Sequence, residues 1–266
     1  MNFFSFSLSC AATQLMGILN VTPDSFSDDG HTTEPRRAVE RGLRLIASGA
    51  DILDIGGEST RPGSESVSVD EELRRVIPVI RELRRQTAIP LSIDTRKAAV
   101  AAEAIQVGVK IVNDVSALSD PDMLPLLCKT GAAICVMHAT GTPKTMQINP
   151  CYENVVEEVY EFLRRKRDEL VAAGIERSRI AVDPGLGFGK TVEHNWMLVR
   201  NIVRFLDLGC PLLVGHSRKR FIAETFADRD EGTQIVSREL IRSGVHMLRL
   251  HDIPPEWRRN CYSPLE

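Results

Sequence analysis

Polar residues of the kinds that do chemistry recur in this 266-residue chain at one kind of place, the trailing end of a short apolar run. Asn20 ends the first run and leads into VTPDSFSDDG (21–30), and Asp54 lies in the second, which leads into GGESTRPGS (56–64). Asp94 and Arg96 follow the third, Asn113 and Asp114 the fourth, His138 the fifth and Asp183 the sixth. The seventh ends in Ser217, Arg218 and Lys219, and the eighth in Arg249, His251 and Asp252. Asp94, Asn113 and Asp183 offer acceptors or paired acceptor and donor groups, which suit a flat heterocycle carrying several N–H donors and ring acceptors. Arg61, Lys219, Arg249 and His251 supply positive charge suited to a phosphate or diphosphate, which an arginine grips through two oxygens at once. Asn20 offers a neutral oxygen to a hard cation such as Mg2+, an ion that commonly rides on diphosphate oxygens with few protein ligands. Singly, an Asp or Asn at such a place is a turn or capping residue, and a His is the partner of a backbone carbonyl. Eight run ends that together supply Asn, Asp, Arg, Lys and His are better explained by one shared site.

The runs themselves are LMGILNV (15–21), ADILDIG (50–56), PLSIDT (90–95), VKIVNDV (109–115), AAICVMH (132–138), RIAVDPG (179–185), PLLVGHS (211–217) and HMLRLHD (246–252). Between them lie segments with helical spacing. In 69–86, Leu73, Val76, Ile77, Ile80 and Leu83 form one apolar stripe, and 152–174 ends at Gly174. Apolar strands alternating with amphipathic helices describe parallel βα units, and eight of them in roughly 250 residues suit a single (β/α)8 TIM barrel, an α/β fold. An open doubly wound sheet is the alternative. In a barrel the reactive groups come from the C-terminal strand ends, where the polar residues above fall. No linker or composition shift divides the chain, so one barrel domain is expected over 15–266. A leader over 1–14 is expected to be partly disordered. After the eighth run only PPEWRRNCYSPLE (254–266) remains, which Pro shortens into less than a full last helix.

Composition excludes several classes. The 33 basic and 36 acidic residues leave a net charge of −3 with no long basic run, which argues against nucleic acid or a membrane surface as partner. The 6 cysteines include no Cys-x-x-Cys pair and read as reduced thiols of a cytoplasmic protein. FFSFSLSCAA (Phe3–Ala12) is apolar but no Lys or Arg precedes Arg36, unlike a secretory signal. No stretch reaches the roughly 20 apolar residues of a membrane span. PGLGFGKT (184–191) is one residue short of a phosphate-binding P-loop and follows the wrong strand. Cys135 and His138 are expected on different strand faces, not as a catalytic pair, and His31, His194 and His246 read as solvent-facing or structural.

The set MGILNVTPDSFSDDG (16–30), DIGGESTRPGSE (54–65), SIDTRK (92–97), NDVSA (113–117), MHATGTPKTMQ (137–147), DPGLGFGK (183–190), GHSRKRFI (215–222) and RLHD (249–252) resembles the dihydropteroate synthase family. The resemblance implies condensation of 7,8-dihydropterin-6-ylmethyl diphosphate with 4-aminobenzoate, releasing diphosphate, in folate biosynthesis. It implies that Asp94, Asn113, Asp183 and Lys219 hold the pterin, that Asn20 meets Mg2+, and that Arg249 and His251 hold the diphosphate. Arg61 would join them from the second loop, while Thr60, Pro62 and Phe188 would shape the aminobenzoate pocket. A homodimer is implied too. The expected chemistry is an SN1-like displacement, in which Mg2+, Arg and His stabilise the departing diphosphate and ionised Asp94 favours the cationic pterin methylene. Loops one and two would act as lids that keep water from that cation.

Two departures stand out. Arg220 replaces the Ser that usually follows the Ser-Arg-Lys triplet, where it would meet the aminobenzoate carboxylate. The segment Ala223–Arg242 is short and unusually charged. A folate-dependent methyltransferase on the same barrel needs no diphosphate site, so Lys219, Arg249 and His251 favour the synthase. They also oppose a non-catalytic pterin-binding relative.

Overall fold

The computed structural model describes residues 4–6, 12–22, 34–59, 63–141, 145–146, 148–254 and 257. Its strands are β1 (Gln14–Asn20), β2 (Ile52–Gly56), β3 (Leu91–Asp94), β4 (Ile111–Asp114), β5 (Ala133–Met137), β6 (Ile180–Asp183), β7 (Leu213–Val214) and β8 (Met247–Leu250). They form one parallel sheet in the order β6-β5-β4-β3-β2-β1-β8-β7. A bridge between Val182 and Leu212 brings its two edges together and closes the barrel. The (β/α)8 barrel expected from the runs is therefore the fold, and the open sheet is not. The connecting helices are α1 (Glu34–Ala47), α2 (Val69–Gln86), α3 (Ala98–Gln106), α4 (Met123–Thr130), α5 (Val155–Ala172), α6 (Val192–Arg200), α7 (Arg220–Thr225) and α8 (Arg229–Arg242).

Local chemistry accounts for the helix starts. Ser68 accepts the Glu71 amide at the head of α2, and Asn154 and Asp228 do the same for α5 and α8. His194, read from sequence as solvent-facing or structural, completes a capping box with Thr191 on α6. His246 accepts the Leu212 amide on Nδ1.

The strand alternation separates two cores. Outward residues such as Leu53, Ile93, Val112, Ile134, Val182 and Leu248 pack under the helices. Inward residues Met16, Ile52, Ile111, Ala133, Cys135, Ala181, Leu213 and Met247 fill the barrel, and Phe6 joins them. Phe6 is buried, its amide donates to Ser178 O at 2.7 Å, and Phe4 meets it edge-on. A piece of the leader thus plugs the interior. Phe6→Ala is expected to cost roughly 3 kcal/mol of stability; an unchanged urea midpoint would show that the plug contributes nothing. At the other end of the chain Trp257 is buried, and the shortened last helix expected there falls largely on residues outside those described.

Candidate active site

One step further along the inward face, apolar filling gives way to polar groups. Asn20, Gly56, Asp94, Asn113 and Cys135 lie in register on neighbouring strands. A Cβ at Gly56 would sit 3.8 Å from both Asn20 Oδ1 and Asp94 Cγ, so Asn20 and Asp94 flank that glycine side by side. Asp183 of β6 and Arg249 of β8 face each other across Gly215, each within 3.8 Å of where its Cβ would stand.

A buried ionic network ties the floor together. Arg249 Nε donates to Asp54 Oδ2 at 2.6 Å and its Nη2 to Asp94 Oδ2 at 2.7 Å, while Asn113 Nδ2 donates to Asp54 Oδ2 at 2.9 Å. One guanidinium therefore serves two carboxylates. Burial pushes Asp94 up to about 7, against the pull of Arg249 and helped by the charge of Asp54. Asp94 Oδ1 is buried and accepts no hydrogen bond from the described residues, and the same holds for Asp54 Oδ1. Asp94 thus keeps an acceptor in a place where bulk water cannot satisfy it.

The β6 side is cationic. Lys219, the residue before α7, donates through Nζ to Leu186 O and lies with Nζ 4.4 Å from the centroid of Phe188. Burial pushes its amine down to about 8, with Asp183 opposing the shift. Asp183 accepts the Gly185 amide at 2.7 Å, and burial raises its carboxyl even against Lys219. Gly187 has a positive φ of 81°, and a Cβ there would sit 3.0 Å from Lys219 Cδ, so only glycine leaves the lysine its course.

Asp94, Asn113, Asp183, Lys219, Phe188, Arg249 and Asn20 are thus brought to one mouth. His251 lies on its rim, where its Nδ1 is 3.0 Å from Ser217 Oγ. Arg220 occupies the first position of α7, exposed and paired with Glu224 of its own helix. Thr60, Arg61 and Pro62 lie outside the described residues, as does 23–30 of the first loop. The stem of the second loop is fixed: Glu58 pairs with Arg96 and Lys97 at 2.6 Å each and accepts the Val67 amide at 2.9 Å. Burial works against its charge, yet Lys97, Val67 and Arg96 hold the carboxyl below the usual range.

Four residues expected at the mouth serve elsewhere. His138 points outward and meets Phe162 of α5 edge-on, because one residue beyond the inward Met137 the alternation reverses. Cys135 is inward, so the two form no pair. Arg96 belongs to the Glu58 clamp, Asp114 accepts the Ser116 and Leu118 amides, and Arg218 pairs with Asp230 and Asp252. Asp54, singled out from sequence only as a strand residue, is the centre of the network. Its signal was a charge on the inward face between Ile52 and Gly56.

No three His, Cys, Asp or Glu side chains among the described residues cluster as metal ligands. A single amide oxygen at Asn20 fits a hard ion carried mainly by phosphate oxygens. Among the described residues no helix is long and apolar enough to cross a membrane.

Comparison with known proteins identifies the family. A family model described as pterin binding enzyme matches residues 16–251. The dihydropteroate synthase of Haemophilus influenzae is 41% identical over 251 residues, which cover 92% of this chain and 91% of that protein. The solved structure of Xanthomonas albilineans dihydropteroate synthase with 4-aminobenzoic acid is 43% identical with a TM-score of 0.87, over 93% of this chain and 90% of that one. The structure from the same organism in complex with 7,8-dihydropteroate is 41% identical with a TM-score of 0.84, over 94% and 91%. The chain belongs to the pterin-binding enzymes and, within them, to the dihydropteroate synthases, a family of transferases.

Proposed function

We propose that this chain joins the methylene carbon of 7,8-dihydropterin-6-ylmethyl diphosphate to the amine of 4-aminobenzoate, giving 7,8-dihydropteroate and diphosphate. The observation that carries the reading is the unsatisfied, buried Asp94 Oδ1 beside Asn113 and Asp183, with the cations Arg249 and Lys219 next to them. A pterin presents several in-plane N–H groups, and such acceptors bind them far better than they would bind water-soluble anions or apolar rings. The ligands named in the Xanthomonas structures, 4-aminobenzoic acid and 7,8-dihydropteroate, are one substrate and the product of this reaction.

In the step itself the bond from the methylene carbon to the diphosphate oxygen breaks, and its electron pair leaves with diphosphate. Arg249, Lys219 and His251 stabilise that leaving charge, joined by Arg61 from the loop after β2. Asp94 in its ionised form favours the positive charge that develops on the pterin methylene. The aminobenzoate nitrogen then supplies its lone pair to the carbon and releases a proton. An aromatic amine needs no strong base for this, which suits a mouth without a paired nucleophile and base. Mg2+, when bound at Asn20 and the diphosphate, would supply further neutralisation of the leaving group. Phe188, Thr60 and Pro62 would wall the aminobenzoate, and Arg220 would pair with its carboxylate after turning from Glu224.

Diphosphate release measured with and without 4-aminobenzoate and Mg2+ tests the reading. Release that ignores aminobenzoate would overturn it. Four described cysteines are unpaired thiols, which supports a cytoplasmic setting. The family resemblance supports a homodimer, which sedimentation at twice the chain mass would show.

A further inference from the structure

The loop from Gly185 to Gly189 carries Phe188 and the carbonyl that holds Lys219, yet nothing in the reaction uses the residue that follows it. Lys190 is buried and forms no ion pair among the described residues. Its Nζ donates instead to Gly185 O at 2.9 Å and Phe188 O at 3.0 Å, lies 3.4 Å from His138 O, and meets His138 Nδ1 at 2.9 Å. An amine that loses bulk water without a carboxylate partner is costly, and here every partner is neutral. Those partners are the two ends of the loop and the residue after β5. Loop and neighbour also approach closely: a Cβ at Gly185 would stand 1.9 Å from His138 O, and one at Gly189 1.7 Å from Thr140 Oγ1. Tyr152 adds a hydrogen bond to Gly189 O at 2.8 Å.

We infer that Lys190 is a positioning residue: by drawing the Gly185 and Phe188 carbonyls together and anchoring them to His138, it sets the curl of the loop that aims Phe188 at the aminobenzoate. The inference rests on the proposed placement of Phe188 against the second substrate. Among the described residues the ring of Phe188 meets no other aromatic ring and no cation but Lys219, so the loop backbone does much to set its direction. Loss of two carbonyl tethers would let that backbone spread, and the wall would move before the floor at Asp94 and Asn113 did. Burial and repulsion from Lys219 push the Lys190 amine well down, which fits a group employed as a donor at fixed geometry and not as a counter-ion.

Lys190→Met keeps the length of the side chain and removes every donor, while Lys190→Arg keeps donors. With folding checked by circular dichroism, K190M is expected to raise KM for 4-aminobenzoate about tenfold and to leave KM for the pterin diphosphate within about twofold, and K190R to recover much of the loss. A K190M enzyme with lowered Tm but unchanged aminobenzoate KM would overturn the proposal, because Lys190 would then be structural only. At the other end of the contact, His138→Gln keeps an acceptor and His138→Leu does not. If K190M fails to fold, a raised aminobenzoate KM in H138L with recovery in H138Q supports the proposal, and wild-type values in both overturn it. Phe188→Ala separates the pocket wall from the residue that positions it. If F188A raises aminobenzoate KM while the Lys190 and His138 variants do not, only the positioning role falls. If F188A leaves it unchanged, the pocket assignment falls and the positioning role with it.

Discussion

Asp94→Asn is expected to lower kcat/KM for the pterin diphosphate by roughly a hundredfold, the consequence of losing about 2 to 3 kcal/mol of charge-assisted hydrogen bonding. The carboxylate is buried, one oxygen is held by Arg249, and the other has no donor among the described residues. An amide at this position would present either its oxygen or its NH2 to the ligand and would carry no charge toward the developing cation. The same substitution has a distinct signature in stability. The folded pKa of about 7 lies above the ordinary 3.8, so the folded state holds an extra proton between those values. Wild-type stability is accordingly full below the lower value and declines as pH rises toward the upper one, and Asp94→Asn removes that decline. Activity runs the other way, because the ionised form is the useful one. For the wild type, kcat/KM should rise through about 7 as Asp94 ionises and fall above about 8 as Lys219 loses its proton. Activity of the Asn variant within about threefold of wild type, measured by diphosphate release, would remove Asp94 from the reaction.

Arg249→Met is expected to be the most damaging single change to the fold at the mouth, at about 3 to 5 kcal/mol. The guanidinium sits between Asp54 and Asp94, at 2.6 and 2.7 Å, and Asp54 is fully buried. Without it, two carboxylates share the floor with no counter-charge but Lys219 near Asp183, and one must take up a proton or admit water. Urea unfolding near neutral pH measures the loss. The paired variant Asp54→Asn with Arg249→Met should be less unstable than the sum of its parts, because the stranded charge is what costs. A loss of under about 1 kcal/mol in Arg249→Met would mean that the network is solvated and contributes little. Recovery of stability in the double variant should bring no recovery of turnover, since Arg249 also meets the leaving diphosphate in the proposed reaction.

Much of this mouth was legible in the chain. Asp94, Asn113, Asp183, Lys219 and Arg249 each follow a run of buried aliphatic residues, and a parallel barrel places such positions at one end. The period-two alternation of neighbouring strands sets Asp94 and Asn113 on one face, as their register shows. His138, Arg96, Asp114 and Arg218 obeyed the same rule of position and yet turned to a helix ring, to loop and helix carboxylates or to backbone amides. A residue one step past the last inward side chain faces outward, and a loop cation goes to whichever carboxylate lies within reach. Neither is visible until strand ends are known to the residue. Asp54 was noted only as a polar residue of its strand and given no role for the reverse reason, since a lone charge inside a strand gains its meaning only from Arg249, which lies 195 residues away along the chain. Phe6 likewise comes from a segment outside the eight apolar runs, and only the open base of the barrel gives it a place.

Sequence alone thus determined the barrel and its polar end, because these depend on periodicity and residue type. Tertiary structure alone decided which carboxylates share Arg249, which acceptor is left for a ligand and how Lys190 laces the loop beside Phe188. Those outcomes depend on distances of a few ångströms between segments remote in the chain, where burial turns a small difference in partner into a large difference in energy.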